Sequence, residues 1–324
     1  MTNNPFIEAK QYWEGKLNAD LPSGAFPADA VAKPGEPAEP ADYPFELPTD
    51  LALKTVQMSA GSDERLIVIF IAGLAGLLTR YSQSDDYLIF MPIHRQEPAG
   101  KFINTLLPLS DSIPPTLSFK ELILQVWRNY TEAVAHQNYP VERLLKKDFS
   151  AAPKSGLALG TAAVLENIHD DQYLGQHQFQ AVFSFERSGE RIRGTVRYHP
   201  AVYRAETIAG IVAHFISLLR NAYDNLEVKA ARVEILSPAE RQRSLSDYNR
   251  TDGDFPQDRT IQQLFEDQVK RGPEQTTLVF GERKITYRQL NAHANRLAWF
   301  LRRRGVRPGD TVGMIIDRSC EMII

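Results

Sequence analysis

A chain of 324 residues has room for about two domains. Its 43% hydrophobic and 24% charged content is ordinary for a globular protein, and a net charge of −3 with no basic stripe argues against nucleic acid as a partner. The single cysteine, Cys320, excludes an intramolecular disulfide and fits a reducing cytoplasm, and the opening MTNNPFIEAK has neither the basic nor the apolar segment of a signal peptide.

Residues 1–20 predict a short polar helix around Tyr12, Trp13 and Leu17. Prolines crowd 21–48 (Pro22, Pro27, Pro34, Pro37, Pro40, Pro44, Pro48) and predict an extended surface connection. The longest apolar stretch, 66–78, is too short for a bilayer. It predicts a buried helix over 64–81, entered through Ser62-Asp63. Residues 87–91 predict a strand, followed by Pro92-Ile93-His94-Arg95. A second apolar segment, 102–109, runs to the Pro114-Pro115 break. Ser118 and Glu121 have capping-box spacing ahead of a helix with Phe119, Leu122, Val126 and Tyr130 on one face. Residues 139–148 predict a short helix. Strands are expected at 179–186 and 191–199, turning at Ser188-Gly189. Ile208, Ile211, Val212, Phe215, Leu218 and Leu219 stripe a helix over 205–223.

RVEIL at 232–236 reads as strand-like, Ser237-Pro238-Ala239-Glu240 as a capped helix, and the polar run 248–259 as a domain boundary. Beyond it, Thr260 and Gln263 cap a helix bearing Leu264, Phe265 and Val269. Residues 276–280 and 283–286 predict a hairpin through Gly281-Glu282. Thr286 and Gln289 cap a further helix with Leu290, Leu297, Ala298 and Leu301 at helical spacing. Gly305 has the position of its C′ residue, and Pro308-Gly309 marks a turn. Residues 311–316 predict a buried strand and 318–324 the start of another helix. No helix-stop signal follows, so the last unit is expected to be incomplete.

Candidate chemistry is sparse. The seven histidines (His94, His136, His169, His177, His199, His214, His293) are isolated. His94 follows a strand end and His136 a helix, and both are weak catalytic candidates; a hydrogen-bonding role at a helix junction is the favoured reading of His136. His169-Asp170-Asp171 lacks metal-ligand spacing and reads as a polar loop. Arg302-Arg303-Arg304 reads as a solvated helix end stabilised by the helix dipole.

Several blocks together resemble a nonribosomal peptide synthetase. FINTLLPL at 102–109 is similar to that family's condensation motif FVNTLPLR through Phe102, Asn104, Thr105 and Leu106, with the proline shifted by one position. HQNYPVERLL at 136–145 resembles its HQ-x-x-PFE-x-L motif through His136, Gln137, Pro140, Glu142 and Leu144, with Val141 in place of phenylalanine. Tyr12-Trp13, 76–96 and 235–249 also resemble that family. ITYRQL at 285–290 is similar to the first adenylation core motif, carried here by Thr286, Tyr287, Gln289 and Leu290; Tyr287 and Leu290 read as packing residues, not ligands.

The resemblance implies an α/β architecture: the C-terminal lobe of a chloramphenicol-acetyltransferase-like sandwich over 1–235, a linker over 236–255, and the start of an adenylate-forming domain over 256–324. The family's HHxxxDG motif, which belongs to the preceding half of a condensation domain, is absent from this sequence. The expectation is therefore a chain with no cofactor of its own and neither active site complete. ATP, magnesium and carrier-bound phosphopantetheine are implied for a complete module. The implied partners are the rest of the adenylation domain, a carrier domain and upstream modules, with no membrane. Three readings stay open: a structural lobe bracing an adenylation domain, a broken piece of a catalytic condensation–adenylation enzyme, and a stand-alone acyltransferase using His136 or His94.

Overall fold

The computed structural model describes residues 5–17, 21–29, 39–95, 104–141, 143–145, 159–175, 177–254 and 256–324. The chain divides into two units, Met1–Asp247 and Tyr248–Ile324. The divide falls inside the stretch expected to be a linker.

The first unit is built on a mixed sheet of β1 (Ala41–Glu46), β2 (Asp86–Pro92), β3 (Leu106–Ser112), β4 (Leu159–Leu165), β5 (Phe179–Ser188) and β6 (Arg191–Tyr198), in the order β1-β6-β5-β4-β2-β3. β4 runs parallel to both its neighbours, β2 and β5; the remaining pairs are antiparallel. The helices are α1 (Pro5–Lys16), α2 (Thr49–Met58), α3 (Asp63–Ser82), α4 (Phe119–Ala135), α5 (Ala205–Asp224) and the short α6 (Pro238–Gln242). Ser62 caps α3 by accepting from Arg65 N, and Gln83 ends it in the left-handed conformation. Residues 66–78 of α3 are all buried, so the helix is the centre of the core. By length and composition α3 could cross a membrane, but its apolar side chains are packed inside this lobe. Phe70 stacks on Phe185 at 4.2 Å, and Phe215 of α5 closes the cluster. Ser118 and Glu121 form the expected capping box of α4.

Several expectations change. The proline-rich stretch is not all surface connection: Ala41–Glu46 is an edge strand, with Pro44 opposite Thr195. An edge tolerates proline because one row of its backbone groups needs no ladder partner. Phe26, in the same stretch, is buried, and its carbonyl accepts the Tyr203 hydroxyl at 2.9 Å. Neither α2 nor β4 is predicted by the sequence pattern. β4 reads LGTAAVL, in which Gly160, Ala162 and Ala163 are small residues of low strand propensity, yet it is buried on both faces as a parallel strand requires. RVEIL is not a strand: Ala230–Arg232 form a 3₁₀ turn and Val233 is buried beside it. The helix expected at 139–148 lies partly outside the described residues; among those described, residues 143–145 are helical, and Leu145 N donates to Val141 O.

In the second unit, α7 (Ile261–Arg271), the hairpin β7 (Thr276–Phe280) and β8 (Arg283–Thr286), and α8 (Tyr287–Arg303) follow the predicted order. Both capping boxes, Thr260/Gln263 and Thr286/Gln289, are present. Gly305, at φ +94°, ends α8: its N–H donates to Arg302 O and Val306 N donates to Leu301 O, a Schellman motif. The expected strand at 311–316 does not form, and Val312, Met314, Ile315 and Ile316 are exposed. Within this unit the two-stranded sheet offers it no partner. Residues 318–324 make turns, not a helix. The core is small: Ile285, Leu290 and Cys320, with Phe265, Leu278 and Ile324 against them.

Candidate functional site

Parallel strands β2 and β4 end on the same side of the sheet, and the carboxyl ends of parallel strands are where open α/β sheets collect polar chemistry. Here the chain after β2 carries Ile93 and His94, and the chain after β4 carries Glu166 to His169. His94 and His169 form an isolated bridge, with rings 5.6 Å apart. Arg95 ties the two segments: its backbone N donates to Ile168 O, and its guanidinium donates to Glu166 O and His169 O. From α4, the Tyr130 hydroxyl hydrogen-bonds His94 Nε2.

The protonation states follow from partners. Leu165 N donates to His169 Nδ1 at 3.1 Å, so Nδ1 holds a lone pair and the neutral ring carries its proton on Nε2. That Nε2–H is buried with no partner. Burial, helped by neighbouring His94 and Arg95, pushes His169 down to about 3. Burial also lowers His94, an effect the charge of Glu64 partly offsets. Tyr130 is held above the usual phenol range by burial. The two imidazoles are therefore biased to their neutral forms, beside the Arg95 guanidinium. His169 cannot present Nε2 to a metal while Nδ1 serves Leu165, and no group of three ligating side chains occurs among the described residues. The polar loop expected at His169-Asp170-Asp171 is half correct: Asp170 caps a 3₁₀ turn (Asp171–Leu174), but His169 belongs to the core.

The two condensation-type motif blocks meet beside this cluster. Asn104 is buried; its Nδ2 donates to Leu106 O at 2.8 Å and to Gln137 O at 3.3 Å, and its Oδ1 accepts from Leu106 N at 3.4 Å. Asn104 thereby pins the start of β3 to the chain leaving α4. Thr105 O accepts from Ile93 N, joining β3 to the segment that bears His94. Leu106 is buried opposite Pro92. His136 is the C-cap of α4; its carbonyl accepts the Trp13 indole N–H at 2.9 Å, and its ring lies 4.6 Å from Tyr12. Pro140 is half-buried, and Val141, where the family motif has phenylalanine, is fully buried. Phe102 and Glu142 lie outside the described residues. Sequence reasoning gave no site role to Tyr130, which sat in an apolar stripe, to His169, read as part of a polar loop, or to Arg95, which lay in the 76–96 block without a role of its own.

The adenylation-type residues are used locally. Thr286 and Gln289 cap α8, Leu290 is core, and Tyr287 packs 5.9 Å from Phe265 while its N–H donates to Gln275 O. They do not form a phosphate site. The Gly305 N–H is engaged with Arg302 O, Gly309 (φ +94°) is a turn residue, and Gly313 lies in the exposed 311–316 segment. No backbone cradle for ATP is assembled from them.

A mixed sheet backed by a helix that is buried over residues 66–78, with these blocks locked at its edge, is an α/β lobe of the chloramphenicol-acetyltransferase kind. Residues 2–245 match the condensation-domain model and residues 265–324 the model for AMP-binding enzymes. The chain belongs to the condensation-domain family, followed by the opening of an AMP-binding domain as in nonribosomal peptide synthetases. Tyrocidine synthase 3 of Brevibacillus parabrevis is 28% identical over 340 residues, covering 98% of this chain and 5% of that protein. Gramicidin S synthase 2 of Aneurinibacillus migulanus is 28% identical over 336 residues, covering 97% of this chain and 8% of that protein. The chain thus spans less than a tenth of the length of these relatives. Among solved structures, holo-AB3403, a four-domain nonribosomal peptide synthetase bound to AMP and glycine, superposes with a TM-score of 0.70 at 15% identity, covering 96% of this chain and 26% of that one. The starter condensation domain of rhizomide synthetase RzmA gives a TM-score of 0.55 at 15% identity, covering 72% and 55%.

Proposed function

We propose that the chain is the condensation–adenylation junction of a peptide synthetase module, in which the condensation lobe braces the adenylation domain and does not catalyse. One observation carries this reading: Asn104, His136 and His94 are each tied into the fold. Asn104 binds backbone, His136 gives its carbonyl to Trp13, and His94 is bound to Tyr130. Amide formation needs an amine held against a thioester carbonyl with a proton-handling group beside it. The sequence holds no adjacent histidine pair to supply one. Stand-alone acyl transfer by His94 or His136 is disfavoured for the same reason. ATP, magnesium and a phosphopantetheine-bearing carrier belong to the complete module, which acts in the cytoplasm on amino acids for a secondary-metabolite peptide.

Two assays test the proposal. Aminoacyl and peptidyl carrier thioesters mixed with this chain yield no amide product; product formation overturns the non-catalytic reading. In a chain extended through the adenylation domain, deleting 1–235 lowers soluble yield while the surviving soluble fraction still exchanges pyrophosphate with ATP. Unchanged yield after the deletion overturns the bracing role.

A further inference from the structure

A second chain of polar groups lies in the first unit, away from the motif blocks. The Tyr81 hydroxyl, at the end of α3, is 2.7 Å from His214 Nδ1 on α5. His214 Nε2 is 3.2 Å from Glu240 Oε1 on α6. With Glu240 ionised and a single proton on the ring, one arrangement satisfies all three: Nε2–H donates to the carboxylate, and Nδ1 accepts from the phenol. Carboxylate, imidazole and hydroxyl in this order have the connectivity of a nucleophile triad. Two observations remove that reading. Burial and the charge of Glu240 push the Tyr81 hydroxyl up to about 12, the reverse of activation. Its ring is also wedged edge-to-face against buried Phe26 at 5.4 Å.

The chain of bonds ends on the segment that leaves the lobe. Glu240 serves two partners. Its Oε2 accepts from Ser237 N at 2.8 Å, closing the α6 capping box, while Oε1 faces His214. The residues before it are gripped as well. Arg80 of α3 donates to Ala231 O at 2.9 Å and to Val233 O at 2.8 Å. Asn221 of α5 donates to Glu234 O at 2.7 Å, and Ala230 N donates to Leu117 O. We propose that Tyr81, His214 and Glu240, with Arg80 and Asn221, form a clasp that makes 230–242 a fixed part of the condensation lobe. The clasped segment ends where α6 gives way to the π-helical turn Arg243–Asp247. Because one carboxylate both nucleates α6 and docks it, the helix forms and seats in a single event. The clasp rests on the geometry of this lobe alone and not on the bracing reading.

The test uses the full 324-residue chain. ¹⁵N spectra of the His214 ring are expected to show a proton on Nε2, the nitrogen that faces Glu240. Hydrogen exchange at the Arg241 amide, which donates to Ser237 O, is expected to be protected. His214→Ala should speed that exchange about ten-fold, the loss of a charge-assisted hydrogen bond. Glu240→Gln keeps the capping box, since glutamine also serves at that position, but loses the charge. It should speed exchange several-fold and alter the His214 ring shifts. Ser237→Ala should weaken the helix cap while leaving the His214 tautomer unchanged. The Nδ1–H tautomer in the native chain, or native-like Arg241 exchange in both His214→Ala and Glu240→Gln, would overturn the clasp.

Discussion

Asn104 gives the sharpest separation between a residue that holds the fold and one that touches substrate. It is 3% exposed and has one short and two longer hydrogen bonds to backbone, at 2.8, 3.3 and 3.4 Å. Asn104→Ala removes the amide and leaves the carbonyls of Leu106 and Gln137 without this donor. One good bond lost, plus desolvated carbonyls, costs about 2 kcal/mol. For a lobe of this size that lowers Tm by about 4–8 °C. Asn104→Asp is isosteric but turns a carboxylate toward two carbonyls in a dry site, and should cost about 3 kcal/mol or more. Urea titration followed by tryptophan fluorescence reads this directly, because buried Trp13 is bonded to His136 O, one residue from Gln137. The aspartate variant should be less stable than the alanine variant, and both less stable than the parent. If Asn104→Ala stays within about 0.5 kcal/mol of the parent, the level of an ordinary surface change, the pinning role is refuted.

Four other outcomes follow from the same structure. A Cβ on Gly160 would sit 2.3 Å from Gly24 O and 2.5 Å from Ser23 O, backbone that cannot yield, so Gly160→Ala should cost about 3 kcal/mol and sharply cut soluble yield. Gly210→Ala meets nothing within 4 Å and should stabilise α5 by about 0.5–1 kcal/mol in the same urea assay. His169 stays neutral in the fold down to about 3, while the unfolded chain takes its proton near 6.5, so the unfolded state binds more protons between those values and stability falls as pH drops from about 6.5 toward 3. His169→Asn keeps an acceptor for Leu165 N, does not titrate, and should flatten that part of the stability–pH curve; an unchanged slope counts against the buried neutral imidazole. Ile315→Glu, at a fully exposed position, should reduce binding of a hydrophobic dye without shifting the melting of either unit.

Local chemistry was legible wherever it is short-range. The capping boxes at Ser118, Ser237, Thr260 and Thr286 are spacings of three residues, and each forms as read. The Gly305 terminus and the Ser188-Gly189 hairpin are likewise fixed by a glycine that accepts positive φ. The stripe on α5 needs only helical periodicity. The order of motif blocks carried the family.

Position within the fold was not legible. LGTAAVL has no alternation, because a central parallel strand is covered on both faces and needs none. Pro44 argued for a loop until β6 supplied an edge on which a proline is harmless. The 311–316 run has strand composition, but a strand needs a neighbour to bond, and within its unit it has none. The site shows the same division. Sequence named Asn104, His136 and Gln137 as a motif, but only the meeting of β3 with the end of α4 reveals that Asn104 bonds the two blocks together. His94 and His169 lie 75 residues apart and become neighbours because β2 and β4 run parallel and end side by side. A sequence determines what each residue can donate, accept or bury; long-range pairing alone decides which partner stands across from it, and so which histidine is held neutral and which holds the chain in place.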